Sequence, residues 1–376
     1  MFKCYGYTEH ALKARRIIMR KGLCFSIVLL IAVLTITSFV SCKHEPDLIT
    51  VTFDSNGGSG LMDPQKMNKD TANSLSPNSF AYASHIFYEW NSEKDGTGIV
   101  FKDGESVRFS EDVTLYAQWI EVTFLDPTMT TWEDGKSYSL DNDVTFENRI
   151  IIDGSVALYL PDGKTLTCNE GITVPEDSSL VIQGGRTGTG RLVSTGSHQQ
   201  PGIGAFYEGG DDRSTMGTLM IFGGVIDATG GRDAAGIGGG ATCYGGDVYI
   251  YGGVVNATGT HYGSGIGGGY GGWGGTLHVL GGTVTATGGN AGTYSSGGHG
   301  IGLGGGGAAG IAYLYVTGGT IYASGGNDGA CGISTTVWTT PGIKLECRAS
   351  ETAKWHEFKP KKYSSDRYVR ITSSSN

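Results

Sequence analysis

Apolar and polar residues alternate in short runs along most of this chain, and the runs recur in a fixed order. A first run appears at 179–182 (SLVI), 218–221 (TLMI), 247–250 (DVYI), 276–279 (TLHV) and 313–316 (YLYV). One residue later stands a glycine pair, beginning at Gly184, Gly223, Gly252, Gly281 and Gly318. A second run follows at 191–196 (RLVSTG), 225–230 (VIDATG), 254–259 (VVNATG), 283–288 (TVTATG) and 320–325 (TIYASG). A third closes each unit, as PGIGA at 201–205, AGIGG at 235–239, SGIGG at 264–268, HGIGL at 299–303 and CGIS at 331–334. Period-two alternation marks strands with one buried face. Three such strands per unit, 29 residues apart from Leu219 to Val248 to Leu277, predict a solenoid. Parallel crossovers are overwhelmingly right-handed, so the expected fold is all-β, a three-sided right-handed parallel β-helix.

The alternation also assigns the faces. Leu219, Ile221, Val248, Ile250, Leu277, Val279, Leu314 and Val316 point inward from the first strands. Ile226, Val255, Val284 and Ile321 do so from the second, with Ala228, Ala257, Ala286 and Ala323. Ile203, Ile237, Ile266, Ile301 and Ile333 do so from the third. The glycine pairs fall at corners, where positive φ or close backbone approach is needed. No helix follows the glycine runs, which excludes a phosphate-binding loop.

Solenoid ends expose strand edges and need caps. Residues 121–178 read as an N-terminal cap and first coil, with alternation at 156–160 and 165–167. Residues 336–376 read as a C-terminal cap closed by strands at 343–345 and 368–371. Between 48 and 119 the pattern differs. Strands are expected at 49–53, 86–90 and 113–119, with turns at Asn56-Gly57-Gly58 and Asp95-Gly96-Thr97-Gly98. A unit this small needs its large apolar side chains inside, so Trp90 and Trp119 are expected in its core.

Composition narrows the class. Glycine supplies 65 of 376 residues, but without the three-residue period of collagen. Hydrophobic residues make up 39%, in alternating runs, which excludes disorder. A net charge of −9 leaves no basic footprint for nucleic acid. Lys13, Arg15, Arg16, Arg20 and Lys21 precede an apolar run from 23 to 40, then Ser41 and Cys42, the layout of an export signal; an uncleaved membrane helix is the alternative, since about 18 apolar residues just span a bilayer. Counted from Met19, that signal has ordinary length. Cys168, Cys243, Cys331 and Cys347 remain downstream and form no CxxC pair. Cys331 and Cys347 could join at a coil end in an oxidising compartment; buried thiols are the alternative.

The outward positions of the first strand carry the candidate chemistry. Met220, Tyr249, His278 and Tyr315 fall in one column, and Phe222, Tyr251, Leu280 and Thr317 in the next, with Tyr313 alongside. Aromatic side chains on a rigid face suit sugar rings or a protein partner. The candidate ligand-binding residues are therefore Phe222, Tyr249, Tyr251, His278, Tyr313 and Tyr315. A covering module or terminal extension would remove that role. Loop residues Tyr244, Tyr262, Tyr270, Trp273 and Tyr294 add further aromatics near the glycine-rich side. Asp211, Asp212, Arg213, Asp227, Arg232, Asp233 and Asp247 do not recur at stacked positions, as a Ca²⁺-dependent lyase site would require. Above Asp227 stand Asn256, Thr285 and Tyr322 rather than a second carboxylate. His261, His278 and His299 lack zinc-site spacing. No catalytic residue, metal or cofactor is expected.

Three segments resemble known families. VTFDSNGG at 51–58, Trp90-Asn91, DGTG at 95–98 and VTLYAQW at 113–119 resemble the Listeria–Bacteroides repeat, the internalin B-type repeat. That resemblance implies a small β-grasp-like module serving as spacer or interaction unit. Glu89 departs from the glycine usual before the tryptophan. Phe39-Val40-Ser41-Cys42 resembles a lipoprotein lipobox, which implies lipid on Cys42, and 43–47 (KHEPD) resembles the tether of Bacteroides-type surface lipoproteins. Residues 130–371 resemble the glycine-rich β-helix region of gut-bacterial surface lipoproteins, whose relatives are described as carbohydrate-binding or adhesin-like. The implied layout is a signal at 1–42, tether at 43–47, repeat module at 48–120, cap and first coil at 121–178, β-helix at 179–335 and cap at 336–376. The implied protein is a non-enzymatic adhesin-like or carbohydrate-binding lipoprotein of the cell envelope, anchored at the outer-membrane surface. Its partners would be the membrane, through the anchor, and a glycan or a host or bacterial surface protein. A structural stalk without a ligand and a β-helix polysaccharide lyase or hydrolase are the alternatives.

Overall fold

The computed structural model describes residues 47–210, 213–291, 296–306, 312–327, 329–359 and 366–373. The signal, Cys42 and residues 43–46 lie outside the described residues, as do Asp211, Asp212 and Tyr294. Every regular element among the described residues is a strand.

Three parallel sheets close the solenoid, as the repeat requires. The first stacks nine strands, in order Thr123–Phe124, Ser137–Ser139, Ser155–Leu160, Ser179–Gly184, Thr218–Ile221, Asp247–Ile250, Gly275–Val279, Ala312–Val316 and Thr336–Thr339. The second runs from Val144–Phe146 through Thr165–Cys168, Arg191–Thr195, Val225–Arg232, Val254–Thr260 and Thr283–Thr287 to Thr320–Ser324. The third runs from Thr131–Trp132 to Ile301–Gly302, and Ile333 bridges to its end. One hydrophobic cluster fills the interior from Leu125 to Ile371, and every residue assigned inward belongs to it.

Two glycine columns have different causes. The second glycine of four corner pairs, Gly224, Gly253, Gly282 and Gly319, takes φ of 75–88°, as a tight corner demands. Gly204, Gly238, Gly267 and Gly302 sit within the third sheet rather than at corners, with φ of 123–150°. A Cβ on Gly238 would overlap the carbonyl oxygen of Gly267 in the next coil. The recurring Ile-Gly step is therefore an inward isoleucine followed by a residue with no room for a side chain.

The N-terminal region is longer than a cap and first coil. It holds two complete coils, Ser137–Ser139, Val144–Phe146 and Ile150–Ile152, then Ser155–Leu160, Thr165–Cys168 and Ile172–Thr173. Phe146, Ile150, Leu158, Leu160 and Leu166 fill them, and without glycine pairs the repeat is masked. The cap itself is short. Fully buried Trp132 plugs the end and stacks on Tyr138 at 5.5 Å. Arg149 is half-buried and donates to the carbonyls of Glu170, Ile172 and Pro201 and to Thr173 Oγ1. Burial lowers its pKa to about 10, so it stays charged at neutral pH.

At the C-terminus the pairing changes direction. Tyr368–Ser373 lies antiparallel on Thr320–Ser324, and Ile343–Arg348 lies antiparallel on Tyr368–Ser373. This hairpin-like cap takes up the open edge of the second sheet, using both expected closing segments. Cys331 and Cys347 are not joined by a disulfide. Cys168 is buried in the core, and desolvation pushes its thiol up to about 12.

The module at 48–120 has its own core and a five-stranded mixed sheet. Leu48–Asp54 pairs in parallel with Val113–Glu121, which pairs antiparallel with His85–Asn91. Trp90 is fully buried against Phe53 and Phe87, whose ring centroids lie at 4.8 and 5.0 Å. Trp119 packs on the core edge and donates to the Ser55 carbonyl at 2.8 Å. Buried Asn91 ties the following turn, accepting from Glu93 N and Gly98 N and donating to Gly96 O. The Glu89 irregularity is a bulge between Phe87 and Glu89 that leaves Tyr88 exposed.

Gly238→Ala should destabilise the solenoid by about 2–4 kcal/mol, from backbone strain plus overpacking. The shift of the urea midpoint at unchanged m-value measures it.

Candidate functional site: an aromatic ladder and the cleft at its foot

The first sheet carries four of the six sequence-assigned residues, Tyr249, His278, Tyr313 and Tyr315, and Phe222 and Tyr251 follow directly on the ends of its strands. Register places Val181, Met220, Tyr249, His278, Tyr315 and Trp338 at successive partner positions. Strands repeat every ~4.8 Å, close to the distance at which aromatic rings stack. The rings accordingly pile face to face. Tyr249 and His278 lie 4.5 Å apart and 5° from parallel, and His278 and Tyr315 4.8 Å and 10°. In the next column Phe222 and Tyr251 lie 4.4 Å apart and parallel. Tyr313 leans on Tyr315 at 6.2 Å. Burial among these rings holds the His278 imidazole below its ordinary pKa, against the charge of Asp247, so the ring is neutral at pH 7.

Trp338 continues the ladder 6.3 Å beyond Tyr315. It lies in the segment read as a cap. Its signal was the TVWT alternation at 336–339, which repeats the first run without a glycine pair.

Stacking changes what the face can offer. A ring within the ladder has neighbours above and below, so Tyr249, His278 and Tyr315 present mainly edges. A sugar ring needs a free aromatic face. The strip is open: Phe222 is 48% exposed, Tyr251 41% and Trp338 37%. Phe222 is the lower ring of its stacked pair, and the position beneath it is Gln183, with Tyr159 one coil further down.

Beneath Phe222 the module meets the β-helix across a cleft of about 710 Å³. Phe87, Tyr88, Lys102 and Asp103 line it from the module, and Tyr159, Gln183, Arg186 and Phe222 from the first sheet side. Asp103 bridges the two parts. Its carboxylate accepts from Asn78 N at 2.8 Å and pairs with Arg186 at 3.3 Å. Lys102 lies over the Tyr88 ring at 5.1 Å and pairs with Glu89 at 3.2 Å. Burial raises the Tyr159 phenol above its ordinary pKa, so it is a neutral donor. Sequence patterning could not find this cleft, because its two walls come from distant stretches of the chain that belong to separate cores.

The other candidates resolve into smaller groups. Asp227 accepts from Arg191 at 2.6 Å and Asn256 at 2.8 Å within the polar column expected for it. Asp233 engages His261 at 2.5 Å and Arg232 at 3.6 Å. The loop aromatics form two pairs, Tyr244 with Trp273 at 4.9 Å and Tyr262 with Tyr270 at 5.1 Å.

Family comparison agrees with both halves of this architecture. The Listeria-Bacteroides repeat domain matches residues 50–118, and the beta helix repeat matches residues 219–241 and 248–270. No curated protein and no solved structure matches the chain. The chain thus combines a segment matching the Listeria–Bacteroides repeat with a parallel β-helix.

His278→Ala removes two ring contacts worth about 0.5–1.5 kcal/mol each. Denaturant unfolding should show a loss of about 1–3 kcal/mol with the far-UV spectrum unchanged.

Proposed function

We propose that this is a non-enzymatic, adhesin-like carbohydrate-binding protein, held by lipid on Cys42 at the bacterial outer-membrane surface. The supporting observation is the cleft beneath Phe222. A sugar presents an apolar ring face with hydroxyls around its rim. The exposed Phe222, Tyr88 and partly buried Tyr159 supply aromatic surface there. Gln183, Arg186, Lys102 and Asp103 supply donors and acceptors on the same walls. The ladder above would guide a longer glycan along ring edges and the phenol groups of Tyr249, Tyr251, Tyr313 and Tyr315.

Glycan-array and polysaccharide pull-down measurements test the binding. Phe222→Ala and Tyr88→Ala should each weaken retention by about tenfold or more, the cost of about 1.4 kcal/mol. Retention unchanged in the double variant would exclude the cleft. Absence of any retained glycan, with ladder variants losing only stability, would favour a structural stalk.

The anchor is tested separately. Cys42→Ala should abolish incorporation of labelled fatty acid and move the protein out of the membrane fraction. A precursor peptide beginning before Met19 would contradict a signal of ordinary length.

A further inference from the structure

The C-terminal cap draws together three side chains with metal-binding chemistry. Cys347 lies in Ile343–Arg348, His356 in His356–Glu357, and Asp366 just before Tyr368–Ser373. Register sets Cys347 opposite His356 on one side and Val369 on the other. Cys347 Sγ lies 3.2 Å from His356 Nε2, and Asp366 Oδ2 lies 3.0 Å from the same nitrogen. All three donor atoms fall within 4.8 Å of one another. Cys347 is buried, Asp366 is partly buried and His356 is exposed, so the group opens to solvent on one side. The last coil fixes the aspartate, because Gly332 N donates to the Asp366 carbonyl at 2.8 Å.

The arrangement does not suit a nucleophilic relay. A relay needs the carboxylate on one ring nitrogen and the thiol on the other. Here both approach Nε2, which offers either one proton or one lone pair. Three electron-rich atoms converge instead on one point. Zinc bond lengths of 2.0–2.3 Å imply donor separations of about 3.3–3.7 Å in a tetrahedral site, so the 3.2 and 3.0 Å contacts to Nε2 would widen slightly around an ion, with the Cys347–Asp366 pair already within 4.8 Å. Thiolate with imidazole selects zinc-like ions over Ca²⁺ and Mg²⁺. A dication with one thiolate and one carboxylate is neutral overall, which suits a half-buried site.

We propose that Cys347, His356 and Asp366 bind a Zn²⁺ ion that fastens the C-terminal cap, with the fourth position open to water. Three separate stretches of the cap would then be tied at one atom. The expectation of no metal site considered the repeat histidines His261, His278 and His299, whereas these ligands are nine and ten residues apart in the cap.

The full chain, purified in detergent under reducing conditions and stripped with chelator, provides the test. It should take up one Zn²⁺, gain thermal stability on doing so, and show a thiolate-to-metal absorption band with Co²⁺. Cys347→Ser should abolish that band. His356→Ala should weaken Zn²⁺ by about a hundredfold or more, beyond the loss typical of an outer-shell partner. A further readout needs no variant: Zn²⁺ should protect Cys347 from alkylation, followed by peptide mass mapping. Failure to bind Zn²⁺, undiminished binding in both variants, alkylation of Cys347 indifferent to Zn²⁺, or a Cys331–Cys347 disulfide in the purified chain would each overturn the proposal.

Discussion

Backbone pairing between coils is the constraint on which the rest depends. Each coil must hydrogen-bond to the next at a strand spacing of about 4.8 Å, on three sides at once. Every position is then judged by what stands directly above and below it. Inward, aliphatic side chains meet like side chains and form one core from Leu125 to Ile371. In the third sheet positive φ and the next coil leave no room for Cβ, a carbonyl oxygen facing Gly204, Gly238 and Gly267 and the Ser334 hydroxyl facing Gly302, so glycine recurs.

The same spacing makes the aromatic ladder. Rings set one strand apart on a flat sheet arrive already at stacking distance, and Phe222 with Tyr251 are parallel at 4.4 Å. Stacking and the binding of any ligand would compete for the same faces. A ring packed between two others rigidifies the sheet but has little face left for a ligand. The proposed binding site therefore lies at the foot of a stack, where Phe222 is followed by Gln183 and the module supplies Tyr88 across the cleft. The Arg186–Asp103 pair helps to set that geometry, and the Tyr88 bulge supplies the module's aromatic contribution.

The two ends of the solenoid are handled differently. At the start, large residues close the barrel, with Trp132 fully buried over Tyr138. At the finish, a switch to antiparallel pairing uses up the edge of the second sheet. An end built from three short strands has little core of its own, and it is there that Cys347, His356 and Asp366 meet.

The alternation by itself determined the solenoid, its inward residues and the column of each outward one, because a strict stacking period turns sequence spacing into spatial neighbourhood. Val248, Ala257 and Ile266 could be placed without coordinates for that reason. The module's strands and the burial of Trp90 were legible in the same way. The coil before residue 155 was not, since Phe146 and Ile150 fill the interior as well as the repeat does but leave no periodic mark. Tertiary structure alone decided whether the ladder rings show faces or edges, because ring orientation depends on packing between coils and not on spacing. It alone made the cleft between Tyr88 and Phe222, and the group at Cys347, because each joins segments that no local period connects.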